Sequence, residues 1–277
     1  MESRLPKDLI TQPELWRCVL HVTPSRFNVA VVPPVAQEEM VAASVVLNPD
    51  APTQLKGLED AVYDNPLLLS DFRSMHCLVE TPLCAVVPAP LATGPTAPML
   101  LARAAGIDAD SDLTVSSGEF GGAAILYKVS EALEAFLRRT FFGVTISNPL
   151  EEIGQAAVAL SPRPDSAPAM LAVADTAASI TLAAAQGGNL LMLNTFSVNH
   201  PADAAYYLLA SRSILSLSPT DGTVRFAGQA PLARTVANIV SPYLQSVEFV
   251  TTPPELCGYG REAARLTYPL TRYLLKL

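Results

Sequence analysis

Apolar and polar residues alternate in short β-prone runs from the start of the chain. Trp16 to Thr23 and Phe27 to Val32 read as strands, with Pro24-Ser25 as the turn between them. Val41 to Leu47 reads as a third strand. Asn48-Pro49-Asp50 stops it and opens a helix with Leu55, Leu58, Val62 and Leu69 at helical spacing. Met75 to Val79 and Cys84 to Val87 read as strands, Pro95 to Ala105 as a short helix, and Ala123 to Val129 as a strand. Ser130 is placed to cap a helix whose apolar face holds Leu133, Phe136 and Leu137. Gly143 to Ser147 is expected as a strand, and a helix runs from Pro149 to near Leu160.

Ser161-Pro162-Arg163-Pro164-Asp165-Ser166 can continue neither a helix nor a strand and reads as a linker. Beyond it the order repeats. Met170 to Ala174, Ser179 to Ala184 and Leu190 to Val198 are predicted strands, with Gly187-Gly188 as a hairpin turn. Asn199-His200-Pro201 starts a helix bearing Tyr206, Leu209, Ile214 and Leu215. Thr223 to Ala227 is a strand, Pro231 to Leu244 a helix, and Val247 to Thr251 a last strand. Each half then runs strand-strand-strand-helix-strand-helix-strand. The third strands also exit alike, through Val46-Leu47-Asn48-Pro49 and Val198-Asn199-His200-Pro201. An internal duplication follows, with halves at residues 1–164 and 165–277.

A three-stranded meander followed by alternating helices and strands resembles the ribonuclease-H-like unit. Two such units in tandem resemble the actin, sugar-kinase and heat-shock-chaperone superfamily, so the expected class is α/β with a degenerate actin-like ATPase fold. Leu191-Met192-Leu193-Asn194-Thr195-Phe196, Asp203 to Leu209, Val224-Arg225-Phe226-Ala227-Gly228 and the helix to Tyr243-Leu244 resemble more closely a bacterial family, domain-of-unknown-function family 3822. That resemblance implies a fold and no established activity.

The superfamily resemblance also implies where phosphate chemistry would lie. Actin-like ATPases place an acid and glycines in the hairpin turn between the first two strands of each half. Glycine lets backbone approach a phosphate, and the acid orients magnesium or water. Here the first turn is Thr23-Pro24-Ser25-Arg26, which has no acid, and Pro24 has no N–H to donate. The second turn keeps Asp175 as the single candidate cofactor-binding residue, but Thr176-Ala177-Ala178 follow where glycines are wanted.

Composition narrows the field further. Half of the 277 residues are hydrophobic and only 16% are charged, which excludes a mainly disordered chain. A net charge of -8 repels phosphate backbones, so nucleic acid is not an expected partner. Mean hydropathy is positive, yet Ala169 to Ala185, the longest apolar run, carries Asp175 at its centre. It falls short of the roughly 20 apolar residues of a span. No secretory signal is read at the N-terminus, so Cys18, Cys77, Cys84 and Cys257 are expected as reduced thiols in the cytoplasm.

Other candidate chemistry is sparse. Asp108, Asp110, Asp112 and Glu119 fall at positions one, three, five and twelve of a calcium loop, with Val115 at position eight. Leu113 stands where the sharp turn wants glycine, and Phe120-Gly121-Gly122-Ala123 does not begin a helix. An acidic surface loop is the plainer reading. His21 and His76 with Cys18, Cys77 and Cys84 lack zinc-ligand spacing, and no Ser/His/Asp arrangement suggests a hydrolase. Neither Gly118-Gly122 nor Gly187-Gly188 leads into Lys-Ser/Thr, so no P-loop is present. The segment Tyr259 to Leu277 has a basic excess from Arg261, Arg265, Arg272 and Lys276, but its leucines and tyrosines favour packing on the body over docking outward. The expectation is a non-catalytic actin-like scaffold with a protein partner and no cofactor. Its alternative is a nucleotide-binding ATPase or switch using the cleft between halves.

Overall fold

The computed structural model describes residues 4–35, 38–107 and 115–277. Two short 3-10 turns lead into β1 (Arg17–Val22), β2 (Arg26–Val32) and β3 (Val41–Val46). Next come α1 (Gln54–Tyr63) and β4 (Ser74–Val79). After them lie β5 (Cys84–Pro88), α2 (Thr96–Ala105), β6 (Ser116–Phe120) and β7 (Ala123–Tyr127), then α3 (Glu131–Thr140), β8 (Thr145–Ser147) and α4 (Pro149–Ala159). The remainder is β9 (Ala169–Val173), β10 (Ser179–Gln186), β11 (Asn189–Ser197), α5 (Pro201–Ile214), β12 (Thr223–Ala227), α6 (Pro231–Val240), β13 (Val247–Phe249), α7 (Pro254–Cys257) and α8 (Tyr268–Leu274).

Local chemistry accounts for the helix starts. Thr53 Oγ1 accepts the Lys56 N–H at 3.1 Å ahead of α1. His200 and Asp203 cap α5 reciprocally. His200 Nδ1 accepts from Ala202 N at 3.2 Å, and Asp203 Oδ2 accepts from His200 N at 2.8 Å.

The strands form two five-stranded sheets of the same order, β3-β2-β1-β4-β8 and β11-β10-β9-β12-β13. In each, the first three strands are antiparallel and the last two join in parallel. The element order expected for the first half is interrupted. β5, α2, β6 and β7 stand between β4 and α3 and make a separate sheet of order β5-β7-β6. The segment Ser-Ser-Gly-Glu-Phe, where no strand is expected, is strand β6. The helix expected to reach Leu244 ends at Val240. Pro242 lies two residues past that end and opens a 3-10 turn, Ser241–Tyr243.

Packing groups the chain into two compact units. One is Met1–Cys84, Tyr127–Pro149 and Thr252–Leu277; the other is Ala85–Leu126 and Leu150–Thr251. In the first, one face of the sheet carries Val19, Ala30, Val32 and Leu78. This face is covered by Leu256, Ala263, Leu266, Leu270 and Leu274 of the C-terminal segment. Met40 N–H donates to Tyr259 O at 3.0 Å, so the same segment is tied to the chain just before β3. In the second unit, α5 and α6 bury Ala204, Leu208, Leu232, Val236 and Val240 against Met170, Ile180, Leu182 and Phe226. Leu101 of α2 packs on Ala124 and Leu126 of β7. The linker is anchored there too. Ser161 is fully buried and accepts from both glycines of the β10–β11 hairpin, through Oγ from Gly187 N and through its carbonyl from Gly188 N. Gly187 and Gly188 have φ of 60° and 80°, as that two-residue turn requires.

Candidate functional site

The turn between β1 and β2 spends the Thr23 and Arg26 donors on itself. Thr23 N–H and Thr23 Oγ1 both donate to Arg26 O, at 2.8 and 3.1 Å, and Arg26 N–H donates back to Thr23 Oγ1 at 3.1 Å. Ser25 O accepts from Leu47 N and Thr23 O from Gln54 Nε2. Pro24 has no donor. Among the described residues, Ser25 N–H is the one backbone donor of this turn without a protein acceptor. A phosphate cradle needs several convergent N–H groups, so the first turn offers none.

The turn after β9 is built differently. Asp175 Oδ1 accepts from Gln229 N at 3.1 Å, which ties this turn to the loop between β12 and α6. Ala174 supports the same junction, donating to Ala227 O and accepting from Ala230 N, each at 2.9 Å. The approach is close enough to demand glycine. Gly228 has φ of 106°, and a Cβ there would lie 2.3 Å from Ala174 O. Asp175 thus clasps two loops at one end of the sheet, and Thr176 Oγ1 bonds Ser179 Oγ at 2.9 Å across the turn.

The other candidates separate. Asp108, Asp110 and Asp112 lie outside the described residues; Glu119 is an exposed residue of β6. Among the described residues no three His, Cys, Asp or Glu side chains come together to hold a metal ion. Burial pushes the Cys18 and Cys77 thiols well above the ordinary range, for Cys18 with the help of Cys77, and raises Cys84 as well. Thiols held neutral are poor ligands and nucleophiles. His21 is buried, with Nδ1 2.9 Å from Thr267 Oγ1 and Nε2 3.3 Å from Glu80 Oε1 without hydrogen-bond alignment. It joins β1 to the start of α8.

Sequence reasoning missed the cluster around His76. Nδ1 meets Thr145 Oγ1, Nε2 meets Ser147 Oγ at 2.8 Å, and the ring stacks on Tyr273 with centroids 4.0 Å apart. Desolvation, followed by the nearby Lys276, lowers its pKa to about 4, so the ring is neutral near pH 7. The hydroxyls sit on β8 and the tyrosine on α8. The pairing of β4 with β8 brings the hydroxyls to the ring, and no sequence motif announces it.

The duplicated sheet order defines the class. Two solved structures share it. One, from Bacteroides thetaiotaomicron VPI-5482, is described as having an actin-like ATPase fold and unknown function. It is 12% identical with a TM-score of 0.73, over 86% of this chain and 92% of that one. The other, a PilM-PilN type IV pilus biogenesis complex, is 13% identical with a TM-score of 0.61, over 95% and 97%. No curated protein matches significantly. The fold is therefore that of the actin-like ATPases, two ribonuclease-H-like units in one chain. Residues 10–247 match the family described as Protein of unknown function (DUF3822), and the chain belongs to that family.

Proposed function

We propose that this protein is a non-catalytic actin-like scaffold that binds another protein, with its duplicated halves at residues 1–164 and 165–277. The observation that carries the reading is the turn Thr23-Pro24-Ser25-Arg26. It lacks the acid, lacks glycine, and consumes the Thr23 and Arg26 N–H groups internally. The net charge of -8 adds no attraction for a polyanion. That a solved relative of this fold stands in a two-protein complex is in keeping with a partner here. The setting we infer is the cytoplasm, in keeping with four free cysteines. No helix of the described residues is long and apolar enough to cross a membrane.

One observation favours a second reading, a nucleotide-binding switch. Asp175 survives beside Gly228, whose loop leads into α6. Purified protein with magnesium and ATP separates the two. The scaffold reading expects neither a thermal shift nor turnover. Turnover abolished by Asp175→Asn overturns it.

A further inference from the structure

Arg212, in the last turn of α5, is only 4% exposed. Its Nη2 donates to Ser218 O at 2.5 Å and to Asp221 O at 2.9 Å, closing the loop of residues 215–222. The Asp221 carboxylate is turned to Ser218 N–H, 2.6 Å away, and forms no ion pair with Arg212. Among the described residues no carboxylate lies within ion-pair distance of this guanidinium, and its Nε and Nη1 have no protein acceptor. Burial lowers the arginine pKa, with Asp221 opposing, but arginine stays charged at neutral pH. The guanidinium is thus held by two carbonyls, with Asp221 acting on it only beyond ion-pair distance, and it keeps donors for a further acceptor.

The arginine lines an open depression of about 640 Å³. Leu209, Leu217, Pro219 and Tyr243 supply half of the rest of the wall. The apolar surface near it includes Tyr243 itself, 60% exposed, and Ile214, 83% exposed at the end of α5. An apolar wall with a cation at its base that forms no ion pair fits an apolar side chain beside a carboxylate, and with Nη2 committed to the two carbonyls, Nε or Nη1 can donate a single charge-assisted bond to that carboxylate. The open rim and the exposed residues around it suit a chain longer than a metabolite.

We propose that this groove binds a segment of a partner protein in which an acidic side chain or terminal carboxylate sits next to a large apolar residue. The carboxylate meets Arg212, and the apolar residue lies against Leu209, Leu217 and Tyr243. The proposal rests on the scaffold reading and names the partner's recognition element.

The test is selection of random short peptides displayed on phage against the full chain. Enriched peptides are expected to pair Asp, Glu or a free terminus with Leu, Ile or Phe. Their synthetic versions are expected to weaken at least about tenfold on Arg212→Gln. Because that change also opens the 215–222 loop, Tyr243→Asp serves as the second variant. It alters an exposed side chain, leaves folding intact by circular dichroism, and repels an acidic ligand, so it too is expected to weaken binding. Enrichment without an acid, binding unchanged by Tyr243→Asp, or no enrichment at all overturns the proposal. A dimer that Tyr243→Asp dissolves also overturns it, by making the occupant a second copy of this chain. Failure here leaves the scaffold reading standing, whereas ATP turnover removes that reading without touching the groove.

Discussion

Gly228 holds two loops at contact distance, and its replacement has one direction. Gly228→Ala puts a Cβ 2.3 Å from Ala174 O, in a backbone region that L residues avoid. Ala174 cannot retreat without breaking bonds to Ala227 and Ala230. The expected loss is about 2–4 kcal/mol in urea unfolding. Asp175→Ala removes the acceptor for Gln229 N–H, an exposed bond that water can replace, and is expected to cost about 0.5–1.5 kcal/mol. That acid was legible in the sequence as a turn residue. Its partner was not, because Gln229 lies 54 positions away and contributes only a backbone N–H. His76 gives a pH signature. Its folded pKa of about 4 lies below the ordinary value of 6.5, so between those values the unfolded chain binds more protons. Stability is therefore expected to fall as pH drops from 6.5 to 4, by about 1–3 kcal/mol from this group. In His76→Gln that part of the slope should vanish; an identical slope in both proteins contradicts the assignment.

At the scale of elements, the C-terminal segment shows what periodicity can decide. Leu266, Leu270 and Leu274 recur every four residues, and all three are buried on the sheet face bearing Val19, Ala30 and Leu78. The apolar spacing announced that packing, while the basic residues between suggested an outward role. Burial of Leu270 is complete, so Leu270→Ala is expected to cost about 2–5 kcal/mol, read as a lower urea midpoint. A loss under about 0.5 kcal/mol, as at a surface position, would contradict the packing. Strand β6 escaped the sequence because Ser-Ser-Gly carries no β propensity. Its place is set by pairing with β7 instead. The end of α6 was legible in Pro242, yet the apolar Tyr243 and Leu244 beyond it read as one more turn of helix.

Across the whole molecule, the sequence carried the duplicated order of elements, because each sheet begins with a meander whose alternation is strong. What it could not carry was convergence. The β12–α6 loop meeting Asp175, the hydroxyls meeting His76 and Arg212 meeting Tyr243 in one depression each depend on long-range pairing or packing. The central claim is that an actin-like fold persists here without its phosphate chemistry. Calorimetric titration of the full chain with excess magnesium-ATP, followed by a phosphate-release assay on the same sample, tests it most directly. The account predicts no binding heat and no released phosphate, for the chain and for Asp175→Asn alike. Saturable binding with phosphate release that Asp175→Asn abolishes would contradict it.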